Sequence, residues 1–364
     1  MAQTRVLIVD DSAAIRGVLR KIVESSDSLI AAGTASNGRL AVEQYRKVKP
    51  DIVIMDVEMP EMNGIDALKA IMDIDKTAKV LMCSTLTSRN ASTTIEALRI
   101  GAVDYIQKPT SANELYTLDN FKNDLLAVIR SLGFGVGALP SSSSAQSESQ
   151  LLAGVPVNTS FSLKSMPPLH WKPKILAVGS STGGPQALFT FLSSIKNINL
   201  PVVITQHMPS AFTETLAKQI TSQTGFQCIE ARDGMLVEKG KAILAKGGTH
   251  LSFEKNEDHN LVAKLEDGPM ENFCKPSVDV MLRSLAKFHP QEIMIAMLTG
   301  MGADGEKETT RLVNTNGAYC IAQNQETSVV WGMPGAVAKA GVCSAVLPLN
   351  EMGSWISNNV NIRT

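Results

Sequence analysis

At 364 residues the chain is long enough for two ordinary domains, each with its own core, and a composition of 44% hydrophobic and 19% charged residues is globular. With 34 basic against 35 acidic residues the formal net charge is −1, which leaves no global electrostatic footprint for nucleic acid or anionic lipid. No apolar run reaches membrane-spanning length, so no direct membrane insertion is expected.

The start, Met1–Leu7, leads straight into a strand without a signal-peptide pattern, and a cytoplasmic chain is expected. Cys83, Cys228, Cys274, Cys320 and Cys343 are scattered, odd in number and without C-x-x-C spacing. They read as buried reduced thiols rather than a zinc site.

Val6–Val9 is a short apolar run that ends in Asp10 and Asp11, followed by Ser12 as a helix cap and a helical stripe of Ile15, Val18, Leu19, Ile22 and Val23. The unit recurs: Ile52–Met55 ends in Asp56, Val80–Cys83 in Ser84-Thr85, and Tyr105–Gln107 in Lys108-Pro109. Strands alternating with helices predict an α/β fold with a doubly wound parallel sheet, whose ligands sit beyond the carboxyl ends of its strands. Asp10, Asp11 and Asp56 there form a hard oxygen site suited to Mg²⁺, which would steer a phosphoryl donor onto Asp56. Lys108 and Ser84 can hold the transferred oxygens. Single strand-end acids usually cap helices; a matching set on four strand ends argues for more.

These motifs resemble a response-regulator receiver domain: Asp10-Asp11, Met55–Pro60, Ser84 and Gly101–Pro109, spanning residues 1–132 in a flavodoxin-like fold. The resemblance implies that Asp56 is the phosphoacceptor for a histidine kinase. It implies Mg²⁺ on Asp10, Asp11, Asp56 and the backbone carbonyl of Glu58, and Ser84 with Tyr105 as the switch pair.

From Gly133 the pattern dissolves into glycine, proline and the serines of Ser141–Ser147, and residues 133–170 read as a flexible Ser/Pro-rich linker. Residues 171–364 then carry strand-like runs at Ile175–Val178, Pro201–Thr205, Ala242–Ala245, Met294–Leu298, Ala318–Ala322 and Ala345–Leu347. Helical patterns lie between most of them, which predicts a second, Rossmann-like parallel sheet. His250–Lys255 and Leu261–Glu266 flank a polar turn and read as an appended hairpin.

The first of these strands runs into Gly179-Ser180-Ser181-Thr182-Gly183, a G-x-S-x-G turn that opens a helix and favours negative charge at its N-terminus. The second ends at His207, and Met294–Leu298 leads into Thr299–Gly305 with Asp304. Strand ends on one side of a parallel sheet converge, so Ser181, His207 and Asp304 can supply nucleophile, base and orienting carboxylate. The Met301 N–H is a candidate oxyanion donor. Ser180 is the rival nucleophile and His250 the rival base, and Gly300–Gly305 can be read as a phosphate-binding turn. The order Ser, His, Asp differs from that of ordinary α/β-hydrolases.

Gly179–Pro185, Gln206–Pro209, Lys275–Asp279, Leu298–Gly305 and Gly332–Ala336 together resemble the catalytic domain of chemotaxis protein-glutamate methylesterases, the CheB family. Trp331 stands where a smaller aromatic is expected, and the linker is longer and richer in serine. The resemblance implies a phosphorylation-controlled serine hydrolase that demethylates glutamyl methyl esters, releasing methanol, and deamidates glutamines on methyl-accepting chemoreceptors. It implies Ser181, His207 and Asp304 as catalytic residues and Thr182 and Met301 as oxyanion donors. No cofactor is expected for the ester reaction.

Overall fold

The computed structural model describes residues 3–85, 88–108, 115–133, 161–168 and 171–360. Most of the expected linker, residues 134–160 and 169–170 (with His170), lies outside the described residues, as does Pro109.

The first sheet has the strands β1 (Thr4–Val9), β2 (Leu29–Ala35), β3 (Ile52–Asp56), β4 (Val80–Ser84) and β5 (Asp104–Gln107), in the parallel order β2-β1-β3-β4-β5. Its helices are α1 (Ala13–Glu24), α2 (Gly38–Val48), α3 (Gly64–Ile74), α4 (Ser88–Ile100) and α5 (Leu115–Gly133). Ser12, Asn37 and Asn63 cap the first three helices by accepting backbone N–H groups of Ile15, Leu40 and Asp66. β1, β3 and β4 are buried on both faces, hence the continuous apolar runs in their sequence. β2 escaped the sequence reading, because its Ala-Ala-Gly-Thr centre is only half-buried and carries little apolar signal.

The second sheet has seven parallel strands: β6 (Ile175–Ser180), β7 (Val202–Gln206), β8 (Cys228–Glu230), β9 (Ala242–Leu244), β12 (Ile293–Met297), β13 (Tyr319–Gln323) and β14 (Cys343–Leu347). Their order is β14-β13-β12-β6-β7-β9-β8, which puts β6 in the middle, where the direction of winding reverses. Six of these were expected; β8 is three residues long, too short to show a period. The hairpin β10 (His250–Lys255) and β11 (Leu261–Glu266) forms its own two-stranded sheet rather than extending the parallel one. The helices are α6 (Gly184–Ser194), α7 (Ser210–Thr224), α8 (Val278–Leu285), α9 (Glu306–Arg311), α10 (Met333–Lys339) and α11 (Leu349–Asn359). Among the described residues no helix is long and apolar enough to cross a membrane.

Residues ahead of β6 lie along the second sheet's edge: Lys164 N–H donates to Cys343 O at 2.8 Å, and Ser344 Oγ donates to Ser165 O at 3.1 Å. The two halves also meet face to face. α4 packs against α6 and α7. The Gln186 side-chain amide donates to the carbonyls of Leu98 (2.6 Å) and Ala102 (2.8 Å) at the end of α4. The Tyr105 ring lies 4.5 Å from Phe212 of α7, and the Asp104 carboxylate accepts from the Thr182 hydroxyl.

Candidate active site

The turn after β6 is set by its glycines. Gly183 has φ +75°, and a Cβ there would run into Val329; one on Gly184 would collide with the Gln206 side chain. Only glycine lets the chain bend this sharply while α6 closes on the ends of β6 and β7. Ser181 is thereby placed beside the loop after β12: its N–H donates to Thr299 O at 3.0 Å, and a Cβ on Gly300 would stand 2.8 Å from the Ser181 Cβ. Ser180 points the other way. It is fully buried and donates to Gln206 Oε1 at 2.6 Å, a structural bond. Gln206 in turn donates to Ser181 O (2.9 Å) and His207 O (3.1 Å), and His207 N–H donates to Ser180 O (3.1 Å). The ends of β6 and β7 are thus laced together, and Ser181 and His207 share one rim.

His207 Nε2 lies 2.8 Å from Asp304 Oδ2. Asp304 is buried and held by four further donors: the Asn272 amide (2.7 Å), the Ser277 hydroxyl (2.7 Å) and, at the start of α8, the N–H groups of Val278 (2.6 Å) and Asp279 (3.4 Å). Burial pushes its carboxyl up, but His207, Asn272 and the Val278 N–H outweigh that, and the net shift is downward. For His207, burial favours the neutral ring; the hydrogen bonds to Asp304 and Cys274 prevail and raise its pKa to about 9. The remaining ring nitrogen, Nδ1, faces Cys274 Sγ at 3.4 Å, and no hydrogen bond joins Ser181 Oγ to His207 among the described residues. In the neutral ring, with Nε2–H committed to Asp304, Nδ1 carries the lone pair that can take a proton from a nucleophile.

Cys274, Asn272 and Ser277 were missed as parts of this site. Four of the five cysteines are buried as expected, but Cys274 is half-buried and lies against His207. The signal available was the Lys275–Asp279 block, which brings these neighbours with it. His250 is a structural histidine: it is buried, Nε2 lies 2.8 Å from Pro269 O, and Nδ1 accepts the Ser277 N–H. Trp331 is buried and donates from Nε1 to Gln323 O at 2.9 Å. Thr182 is buried, and Met301 is half-buried beside Val329 and Val330, in the apolar cluster that also contains Ile106 and Val103 of the first half.

In the first half the expected acidic cluster assembles. Carboxylate oxygens of Asp10, Asp11 and Asp56 lie within 4.8 Å of one another. Lys108 Nζ bridges Asp10 (2.7 Å) and Asp56 (2.8 Å). Burial raises the Asp56 pKa to about 6 despite the Lys108 charge that opposes it. Three carboxylates round one point are the donor set a small hard cation requires, so the residues fit Mg²⁺. Glu58 follows two residues after Asp56 with its side chain exposed. Ser84 is buried and its hydroxyl lies 3.3 Å from Thr94 of α4, while Tyr105 faces the second half.

The CheB methylesterase family model matches residues 176–356, and the response regulator receiver domain model matches residues 6–118. The protein-glutamate methylesterase/protein-glutamine glutaminase of group 2 operon of Rhodospirillum centenum is 40% identical, over 97% of this chain and 93% of its own. The protein-glutamate methylesterase/protein-glutamine glutaminase 1 of Paramagnetospirillum magneticum is 42% identical, over 97% of this chain and 95% of its own. The crystal structure of the Thermotoga maritima CheB methylesterase catalytic domain is 34% identical and covers 52% of this chain and 100% of that one, with a TM-score of 0.49. The near-full-length relatives and the two family models agree: the chain belongs to the CheB methylesterase family, with a response regulator receiver domain ahead of the methylesterase domain.

Proposed function

We propose that this chain is a protein-glutamate methylesterase and protein-glutamine glutaminase acting on chemoreceptors, that its chemistry is that of a serine hydrolase, and that phosphorylation of its receiver domain controls it. The observation that carries the chemistry is the His207–Asp304 pair, 2.8 Å apart, at the strand end next to the Ser181 turn. Nδ1 of His207 takes the Ser181 proton once Cys274 Sγ yields its place, and Ser181 Oγ attacks the side-chain carbonyl of the glutamyl ester. Asp304 holds the ring and stabilises the imidazolium. Backbone N–H groups at Thr182 and Met301 receive the oxyanion; one such donor contributes about 3 kcal/mol. The imidazolium protonates the departing methanol, or ammonia from a glutamine. Water, deprotonated by His207, then releases the acyl group as a carboxylate and restores the serine.

In the receiver domain, a Mg²⁺ bound by Asp10, Asp11, Asp56 and the Glu58 carbonyl would neutralise the cluster and orient a phosphoryl donor. Asp56 accepts the phosphoryl group from the histidine kinase of the chemotaxis system, and Lys108 and Ser84 hold its oxygens. The contacts of Gln186, Tyr105 and Asp104 support a receiver that covers the Ser181 turn when unphosphorylated. Phosphorylation would loosen it through Ser84 and Tyr105. The test is methanol release from methylated receptor: Ser181→Ala abolishes it, whereas Ser180→Ala retains it at some cost in stability, because Gln206 Oε1 loses its buried donor. The reverse pattern overturns the assignment.

A further inference from the structure

Residues 271–274 form a tight two-residue turn beside the catalytic base. Glu271 N–H donates to Cys274 O at 3.1 Å, and Cys274 N–H donates back to Glu271 O at 2.9 Å. Both central residues have positive φ: Asn272 at 54° and Phe273 at 62°. Asparagine tolerates this conformation, whereas a phenylalanine there is a backbone outlier, in a position that glycine or asparagine would ordinarily fill. The ring gains nothing from the fold in return, since Phe273 is 98% exposed even with the receiver docked. Met270, just before the turn, is 70% exposed.

The turn is nevertheless held firmly. Asn272 donates to Asp304 (2.7 Å) and to Asp279 (2.8 Å), Arg283 binds the Glu271 carboxylate, and Cys274 Sγ touches His207 Nδ1. The adjoining charges are paired, Lys275 with Asp267 and Arg283 with Glu271 and Glu308, so the tip offers an apolar rather than an ionic surface. Strained backbone with an unpacked aromatic, anchored to the histidine–aspartate pair, has the character of a contact kept for a partner.

We propose that Phe273, flanked by Met270, is a docking residue for the protein substrate: an apolar side chain on the substrate surface next to the glutamyl ester packs against the phenyl ring and brings the ester to Ser181. This rests on the proposed methylesterase reading. It makes Phe273 a specificity residue outside the chemical step, so it should act on KM rather than kcat.

The test uses the full chain and methylated receptor in membranes. Phe273→Ala and Phe273→Gly should raise KM by roughly tenfold or more, the weight of one buried aromatic contact, with kcat within about twofold. Phe273→Leu should recover most of the loss. In a Ser181→Ala background, co-sedimentation with the same membranes should weaken by the same factor when Phe273→Ala is added. An unchanged KM and unchanged co-sedimentation overturn the proposal, as does a fall in kcat alone, which would mean that the turn only positions Asn272 on Asp304. If the unsubstituted chain releases no methanol, the functional reading fails, and co-sedimentation still decides the docking role.

Discussion

Gln186 gives the sharpest handle on control. Its amide makes two short bonds, 2.6 and 2.8 Å, to the Leu98 and Ala102 carbonyls at the end of α4, and so joins the helix that follows Ser181 to the receiver. Each such bond contributes about 0.5–1.5 kcal/mol net, so Gln186→Ala should weaken docking by about 1–3 kcal/mol, or roughly 5- to 150-fold in the docking equilibrium. If activity follows the undocked fraction, methanol release by the unphosphorylated chain should rise by a factor in that range, and stimulation by a phosphodonor should shrink to match. Alanine is a good helix former and the site faces the interface, so thermal melting should barely change. The assay is methanol release from methylated receptor, with hydrogen exchange at the end of α4 as a structural readout. Unchanged or lower basal activity in a normally folded variant, with unchanged exchange, would refute the idea that this contact holds the receiver over the site.

Other outcomes follow from the same geometry. Burial raises the Asp104 pKa to about 6, against hydrogen bonds from the Thr182 hydroxyl and the Tyr105 N–H that lower it. A carboxyl whose pKa is higher when docked than when free takes up a proton on docking, so docking strengthens as pH falls through 6. Between pH 7 and 5.5 this is worth roughly fourfold, and basal methanol release should fall by that much more in the unsubstituted chain than in Asp104→Asn. Equal pH profiles would remove Asp104 from the interface. Asp304→Asn should lower kcat by about 10³- to 10⁴-fold with little change in KM, as measured by steady-state methanol release, because the amide favours the wrong tautomer of His207. Cys274 alone among the five cysteines is not buried, so iodoacetamide should label it first in the folded chain, as peptide mapping would show. The adduct should abolish activity by crowding His207 Nδ1, and Cys274→Ala should remove that sensitivity.

The polar residues that close strand after strand were legible because a parallel sheet sends every strand end to one rim. Asp10, Asp56, Lys108, Ser181 and His207 each follow an apolar run, and Asp304 sits in the loop after β12. β2 and β8 were not legible, one half-buried and poor in large apolar side chains, the other only three residues long. What holds the Asp304 carboxylate was also hidden. Asn272 and Ser277 lie 32 and 27 positions away and arrive through the placement of α8, which no local period encodes. The same holds for Cys274, read as one more buried thiol until the turn at 271–274 brought it to His207. The face between the two halves is tertiary throughout: nothing in the spacing of Gln186 or Asp104 announces that each reaches across it.

The most direct test of the account is methanol release by the full chain from receptor-bearing membranes, with and without a small-molecule phosphodonor and Mg²⁺, alongside Asp56→Asn and Ser181→Ala. Basal release should be low and rise on phosphorylation, with no stimulation in Asp56→Asn and no release from Ser181→Ala under either condition. Release that persists in Ser181→Ala, or that is indifferent to the phosphodonor in the unsubstituted chain, would contradict the account.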